Sequence, residues 1–493
     1  MRTRVTESNA RWLALLVLCL GDLMIVLDTT IVNVALPTIG ADLGFSDESL
    51  SWVVNAYLLT FGGFLLLGGR LGDLFGHRRL FLAGIVLFTL ASLGCGLANG
   101  QELLVVARAV QGVGGAVVSA VALSLVLVLF PEPADRAKAM GIFGFVLSGG
   151  GTAGVLLGGV LTDLLSWHWI FLVNVPIGVA VYIVAQTLVP AHGGERAEGG
   201  VDYAGAICVT GALMLAVYGL VNANEAGWTS LQTLGLIGAA LVLIAAFFAI
   251  EAKARSPLVP LGIFRLHNLR TANVMGILMA AGMFTAFFLT TLYLTLVLEF
   301  SALEVGFTFL PSTVLWGAVS LFLSDKLVMR YGLKKPMVFG FTLFTLGIVL
   351  LARAPTDGSV LIDVVPAMVV QGIGAGVAFN PLLLAAMGDV QPHESGLASG
   401  VVNTAFMMGG ALGLAVLASI AAARTESVRD GAVATAADLN SGYHVAFLVG
   451  AVLAAVGVLI AAFVIRDPSG PAPGHAAGGG DVPPEAVPAG VAD

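Results

Sequence analysis

The sequence predicts an all-α integral membrane protein of fourteen spans, arranged as two six-helix bundles with two extra transmembrane helices inserted between them. Three observations predict it. The 493 residues are 58% hydrophobic and only 11% charged, with a mean hydropathy of +0.99, whereas a soluble protein carries about 25% charged residues. The apolar residues gather into stretches of about 20, the length that crosses a bilayer as a helix. Two motifs of the first half recur in the second.

The apolar stretches run 12–37, 52–71, 79–99, 102–129, 139–162 and 169–189 in the first half, 203–222 and 231–251 in the inserted pair, and 271–297, 304–323, 335–353, 360–386, 396–421 and 442–465 in the second half. The first is too long for a cleaved signal and is interrupted by Asp22 and Asp28, so it is expected to stay as span 1. Domains follow at 1–190, 191–270 and 271–466. The segment 467–493, rich in Pro, Gly and Ala, is expected to be a disordered cytoplasmic tail. Loop charge tests the count: with a cytoplasmic N-terminus, 18 of the 22 Lys and Arg fall on the inner side. Arg353, Arg424 and Arg429 lie outside and Arg108 lies in a span, so the positive-inside rule is met. An odd number of spans would scramble that asymmetry.

The repeat is read from two loops and two spans. Gly69-Arg70-Leu71-Gly72-Asp73-Leu74-Phe75-Gly76 follows span 2, and Asp325 to Gly332 follows span 10; Gly76 aligns with Gly332 at an offset of 256 residues. Gln111-Gly112-Val113-Gly114 in span 4 matches Gln371-Gly372-Ile373-Gly374 at an offset of 260. Charge is kept in one copy only: Asp73 aligns with Met329 and Arg108 with Met368. The first half is therefore expected to handle a proton and the second to shape a cargo site, with the cavity between the halves near mid-membrane.

A carboxylate at the depth of Asp28 is unfavourable by about 2.5–3.5 kcal/mol on insertion scales. It escapes part of that by binding a proton, meeting a cation or facing enclosed water. Asp28 lies about 12 Å and Arg108 about 9 Å below the same outer surface at 1.5 Å per residue. The two are expected to meet, either as a coupling pair or as a static ion pair. Asp22 lies about 9 Å further inward, turned by about 240°, and is read as a second proton site, a contact for cationic cargo, or a helix-packing carboxylate. Asp73 and Arg78 stand where they can bias one conformation. Gly150, Gly154 and Gly158, with Gly141 and Gly159, let span 5 approach its neighbours closely. Cavity candidates are the intramembrane amides Asn33, Gln111, Asn273, Gln371, Asn380 and Asn403 and the aromatics Phe284 and Phe288, beside Phe287, Tyr293 and Trp316. Each has an ordinary packing role as its alternative.

These residues resemble the major facilitator superfamily, and within it the fourteen-span drug:proton antiporters. The resemblance rests on Leu27 to Pro37 in span 1, Gly69 to Arg79 after span 2, Arg108 to Gly115 in span 4, the span 5 glycines, and Trp167-His168-Trp169-Ile170-Phe171-Leu172-Val173-Asn174-Val175-Pro176 at the start of span 6. Val155, Leu74 and His168 stand where the family usually has Pro, Arg and Arg. The resemblance implies the major facilitator fold, assigns Arg108 to proton transfer, and implies multidrug efflux and antibiotic resistance at the cell membrane.

The net charge of −8 gives no reason to expect a nucleic-acid partner. Cys19, Cys95 and Cys208 show no metal or disulfide spacing. Gly112-Val113-Gly114-Gly115 follows no strand, so it is not a dinucleotide fingerprint. No enzyme chemistry and no cofactor are expected; a proton gradient drives the protein. A proton moving down 100 mV provides about 2.3 kcal/mol and each pH unit about 1.4 kcal/mol, enough together for a gradient of several hundred-fold. The reading is a monomeric, proton-coupled exporter of hydrophobic small molecules, cationic ones included, in the inner membrane with both termini cytoplasmic. The alternatives are a proton-coupled importer of one metabolite and a non-transporting membrane sensor.

Overall fold

Away from water, a chain satisfies its backbone groups locally only as helix, and among the described residues there is no strand. The computed structural model describes residues 7–130, 132–189, 202–254, 257, 259, 261–388, 390, 395–430 and 434–466. The expected tail at 467–493 lies outside them. The helices are α1 (Glu7–Leu43), α2 (Asp47–Phe75), α3 (His77–Gly96), α4 (Gln101–Leu129), α5 (Pro133–Leu164), α6 (Trp169–Leu172), α7 (Asn174–Leu188), α8 (Tyr203–Val221), α9 (Ala223–Ala226), α10 (Leu231–Glu251), α11 (His267–Leu292), α12 (Ala302–Val319), α13 (Asp325–Tyr331), α14 (Lys334–Leu351), α15 (Val365–Met387), α16 (Ser395–Val428) and α17 (Ala436–Phe463). Wide π turns extend α11 over Tyr293–Val297, follow α12 over Ser320–Ser324 and precede α15 over Val360–Val364.

Among the described residues, eleven helical segments are long and apolar enough to cross a membrane, and three further apolar segments, Ser49–Leu65, Ala153–Leu164 and Ala204–Leu220, are shorter. Each apolar stretch of the sequence falls on a helix, with two differences at the ends. The apolar stretch of span 1 ends at Pro37, but α1 continues to Leu43. A proline removes one backbone donor, and membrane helices tolerate that where neighbours re-satisfy the backbone. The stretch 169–189 is split at Val173. Pro176 has no N–H to donate to the Leu172 carbonyl, so the ladder is interrupted there.

In the first half, α1 packs on α5, α7 and α4, and α3 joins α2 on the flank of α4. In the second, α11 packs on α16 and α17, α14 on α15 and α17, and α12 on α15. The halves meet along two seams, α2 with α16 and α5 with α12. The α5–α12 seam is tight at the end of the molecule that carries Asp42. A Cβ on Gly159 would stand 2.8 Å from the Ala302 carbonyl oxygen, and the Leu303 N–H donates to Asp163 Oδ2 at 2.9 Å. At the opposite end Arg11 reaches Asp135 at 2.6 Å, tying α1 to α5. Helices α8 and α10 pair with each other, and α8 lies against both α2 and α16. Thr210 Oγ1 donates to the Gly63 carbonyl at 3.3 Å and Ser419 Oγ to the Leu220 carbonyl at 3.2 Å, so α8 touches one helix of each half.

The repeat is visible in the backbone. Gly76 has φ +91° and Gly332 φ +76°, a region that L side chains rarely adopt. Each donates its N–H four residues back, to Gly72 and to Val328. Glycines also fix matching close approaches. Gly112 leaves room for the Tyr57 carbonyl of α2, and Gly372 for the Ser312 carbonyl of α12; Gly114 lies against Phe88 of α3, and Gly374 against Phe344 of α14.

Candidate functional site

Arg108 and Gln111 are one turn apart on α4 and share a face. Ser92 and Cys95 share a face of α3 in the same way. Asn174 is the first residue of α7, placed there by the break at Val173. Because Gly112 has no side chain, α2 comes close enough for its Val53 carbonyl to reach Arg108. These elements converge on Asp28 of α1.

Asp28 is fully buried and the Arg108 side chain is 1% exposed. Arg108 Nη1 donates to Asp28 Oδ2 at 2.5 Å and to Gln111 Oε1 at 2.7 Å, and its Nε donates to the Val53 carbonyl at 3.0 Å. Asp28 Oδ1 accepts from Gln111 Nε2 at 2.7 Å and from Asn174 Nδ2 at 3.0 Å. Ser92 Oγ accepts from Gln111 Nε2 at 3.1 Å and Asn174 Nδ2 at 3.0 Å, and donates to the Phe171 carbonyl at 3.0 Å. Cys95 Sγ donates to Gln111 Oε1 at 3.5 Å. The guanidinium carbon lies 4.3 Å from the centre of the Tyr57 ring and 5.5 Å from that of Phe171.

Removing two charges from water costs several kcal/mol per ion, and their attraction offsets this only when the remaining hydrogen-bonding positions are filled. Here both oxygens of Asp28 are filled, and two ring faces cover Arg108. Arg does not release its proton in proteins. Within the pair, the carboxylate is therefore the member whose charge can change.

Asp22 stands apart from this cluster. Its Oδ1 accepts from Ser119 Oγ of α4 at 2.6 Å. Its Oδ2 is buried with no partner among the described residues. Both acidic residues of span 1 therefore face α4, Asp28 at Arg108 and Gln111 and Asp22 further along at Ser119.

The remaining sequence candidates are spread more widely. Arg78 donates to the Gln186 carbonyl at the end of α7, and the Asp73 side chain lies outside the described residues. Gly150, Gly154 and Gly158 line α5 against α1: a Cβ on each would press on Leu23, on Thr30 and the Leu27 carbonyl, and on the Ile31 carbonyl. They set the packing inside the first half, whereas Gly159 and Val155 on the same helix meet α12 of the second. Asn33 and Asn273 donate to carbonyls of their own helices, Thr29 and Leu269. Asn380 bonds with Ser320, donating to its carbonyl at 2.8 Å and accepting from its hydroxyl at 3.0 Å. Gln371 is buried, and its Nε2 has no partner among the described residues; Asn403 is exposed on α16.

Phe284 belongs to a file of aromatic rings across the second half. It packs on Phe406, which packs on Phe379, which packs on Trp316, with centroids 5.8–6.2 Å apart. Phe288 is away from that file, in a crevice at the Asp42 end lined also by Leu292, Thr425, Leu439 and Tyr443. Sequence reasoning missed Asn174, Ser92 and Cys95 as site residues. Asn174 offered one clue, a polar side chain two residues before a proline in an apolar run; Ser92 and Cys95 offered none.

Residues 18–414 match the Major Facilitator Superfamily. The chain is 36% identical over 452 residues to the puromycin resistance protein pur8 of Streptomyces alboniger, covering 90% of this chain and 89% of that one. It is 36% identical over 448 residues to the cephamycin export protein CmcT of Amycolatopsis lactamdurans, covering 90% of each. Its fold is similar to that of the E. coli xylose transporter XylE in a partially occluded inward open conformation, with a TM-score of 0.61 at 14% identity over 94% of this chain and 99% of that one. With a match of that reach and relatives of that identity, this chain is a multi-pass membrane protein of the Major Facilitator Superfamily.

Proposed function

We propose that the protein is a proton-coupled antiporter that exports hydrophobic small molecules, cationic ones included, across the cytoplasmic membrane by alternating access between two six-helix halves. The observation that carries this is the buried Asp28–Arg108 pair, a charge that can change set against one that cannot. The names of the relatives support export as the direction: one confers puromycin resistance and another exports cephamycin. Eleven long and three shorter apolar segments are counted as fourteen crossings. Both termini are cytoplasmic, and the Asp42 end faces outside. The two seams between the halves then serve as the surfaces on which they rock, and the tight α5–α12 contact belongs to a state closed to the outside.

Asp28 loads a proton from outside. Once neutral, it holds Arg108 less strongly, and the α1–α4 contact loosens. Discharge of the proton to the cytoplasm restores the pair. Asp22, with one unpartnered oxygen, provides a second proton site or an anionic contact for cationic cargo. Arg78, Asp73 and the α5 glycines bias the conformational equilibrium, a dipole or capping contact being worth about 0.3–1 kcal/mol. Phe284 and the ring file behind it, with Gln111, Asn33 and the amides of the second half, line the cargo path. Energy comes from the proton gradient with no cofactor, and the working unit is a monomer.

The test uses inverted membrane vesicles carrying the protein, energised to an acidic lumen, with puromycin as the first of a panel of antibiotic probes. Antiport moves protons out of the lumen as the probe enters, so a transported probe alkalinises it. Lumen acidification on probe addition would make the protein a symporter. Absence of proton movement with every probe accumulated would remove the coupling.

A further inference from the structure

The bonds to Asp28 all come from donors: Arg108 Nη1 on Oδ2, and Gln111 Nε2 and Asn174 Nδ2 on Oδ1. That set suits a carboxylate, which only accepts. A carboxyl group carries a hydrogen of its own and, when buried, needs an acceptor for it. The side chains hydrogen-bonded around Asp28 offer three oxygens as candidates. Gln111 Oε1 already accepts from Arg108 and Cys95, and turning that amide over would set its NH2 against the guanidinium. Ser92 Oγ already accepts from two amides and donates to the Phe171 carbonyl. Asn174 Oδ1 is buried, and no donor among the described residues reaches it.

We propose that the side-chain amide of Asn174 turns over when Asp28 takes up its proton, so that Oδ1 accepts the new carboxyl O–H, and turns back when the proton leaves. This rests on Asp28 being the proton-binding group. Asn174 is a positioning residue that supports both charge states and never carries the proton. The rotation is about a terminal torsion that is broad and roughly two-fold. It exchanges one unpartnered buried atom, Oδ1, for another, Nδ2. Ser92 loses one of its two donors and keeps Gln111.

The titratable groups facing Asp28 are Arg108 on α4, Tyr57 on α2 and Cys95 on α3. Asp22 is one and two-thirds turns away on α1 itself. From α7 Asn174 bonds Asp28, from α6 Phe171 lies over Arg108, and from α5 Gly154 stands against Leu27 and Thr30 on either side of Asp28; none of the three titrates. Arg108 keeps its proton throughout, so the proton gained by the site resides on Asp28 alone.

Infrared difference spectra of the full-length protein in lipid nanodiscs, taken between pH steps, test this. The expected result is a carboxyl C=O band that grows on acidification, is missing in Asp28→Asn, and is accompanied by a primary-amide shift missing in Asn174→Leu. Leu has the same number of side-chain heavy atoms, branched at the same carbon, and neither donates nor accepts. If the amide turns, the carboxylate state loses two bonds in Asn174→Leu, to Asp28 and to Ser92, and the carboxyl state loses one, so the midpoint of the carboxyl band rises by less than about one pH unit. A fixed donor keeps its Ser92 bond in both states and loses only a bond to the charged carboxylate, which raises the midpoint by more than about one pH unit. Ser92→Ala removes the hydroxyl that holds Nδ2 toward Asp28, so a turning amide predicts a raised midpoint in that variant. Should Asn174→Leu fail to insert, asparagine-selective isotope labelling of the wild type reports the same amide shift. A carboxyl band with no amide shift overturns the inference and leaves Asp28 as the proton site. Absence of any Asp28 band overturns the proton-site reading itself.

Discussion

The second repeat carries a neutral residue where the first carries its buried cation: α4 has Arg108 and α15 has Met368, which is also buried. Copying that residue back gives a double-mutant cycle: Arg108→Met, Asp28→Asn, and both together. Arg108→Met leaves a fully buried carboxylate with two amide donors, Gln111 and Asn174. Asp28→Asn leaves a fully buried guanidinium with the Val53 carbonyl and Gln111 Oε1. Removing one partner of a buried ion pair costs about 3–5 kcal/mol, whereas replacing both charges by groups of similar size is often neutral. Each single variant should therefore melt well below wild type in detergent micelles. The double variant should recover most of the loss, with a coupling of at least about 1.5 kcal/mol. It should still export nothing against a gradient, since no group is left to carry the proton. If the double variant lost as much stability as the two singles combined, the charges would not be holding each other and the electrostatic reasoning would be wrong.

Three further outcomes are expected. Gly154→Val should separate α1 from α5 by pushing on Thr30 and the Leu27 carbonyl, and should reduce insertion or export severely, while Gly151→Ala, whose added Cβ would meet no atom of another helix within 4 Å among the described residues, should be silent; membrane-fraction yield and efflux measure both. Gly76→Ala and Gly332→Ala should each lower the melting temperature by a similar amount, since each forces a residue with a Cβ into positive φ at a cost of roughly 1–2 kcal/mol. Thr210→Val should speed amide exchange across α8 without changing the proton-to-cargo ratio, because it cuts a single bond between α8 and α2, of about 0.5–1.5 kcal/mol. A changed ratio would give the inserted pair a role in coupling.

Much of this was legible because charge in an apolar stretch is conspicuous. Asp28 and Arg108 stood out for that reason, and counting residues from the ends of their spans placed them at similar depth. The glycines stood out through the repeat, and the aligned Gly76 and Gly332 both take positive φ. What was not legible depended on which way a small polar side chain turns. Asn33 and Asn273 bond their own helices, while Asn174, of the same type and in a similar setting, reaches across to Asp28. The sequence holds no local cue to that difference, because it arises where α1, α3, α4 and α7 converge. Phe284 and Phe288 are one turn apart on α11, yet one joins the ring file and the other lines a crevice at the Asp42 end. The continuation of α1 beyond Pro37 was hidden for another reason: a proline marks a missing donor, and only the neighbouring helices decide whether the helix ends there.

The most direct measurement is the number of protons moved per cargo molecule in proteoliposomes, compared between wild type and Asp28→Asn under conditions where both still exchange cargo down its gradient. The expected result is a fixed proton count for the wild type and none for Asp28→Asn. An unchanged count in Asp28→Asn would contradict the assignment of the buried carboxylate on α1 as the coupling group.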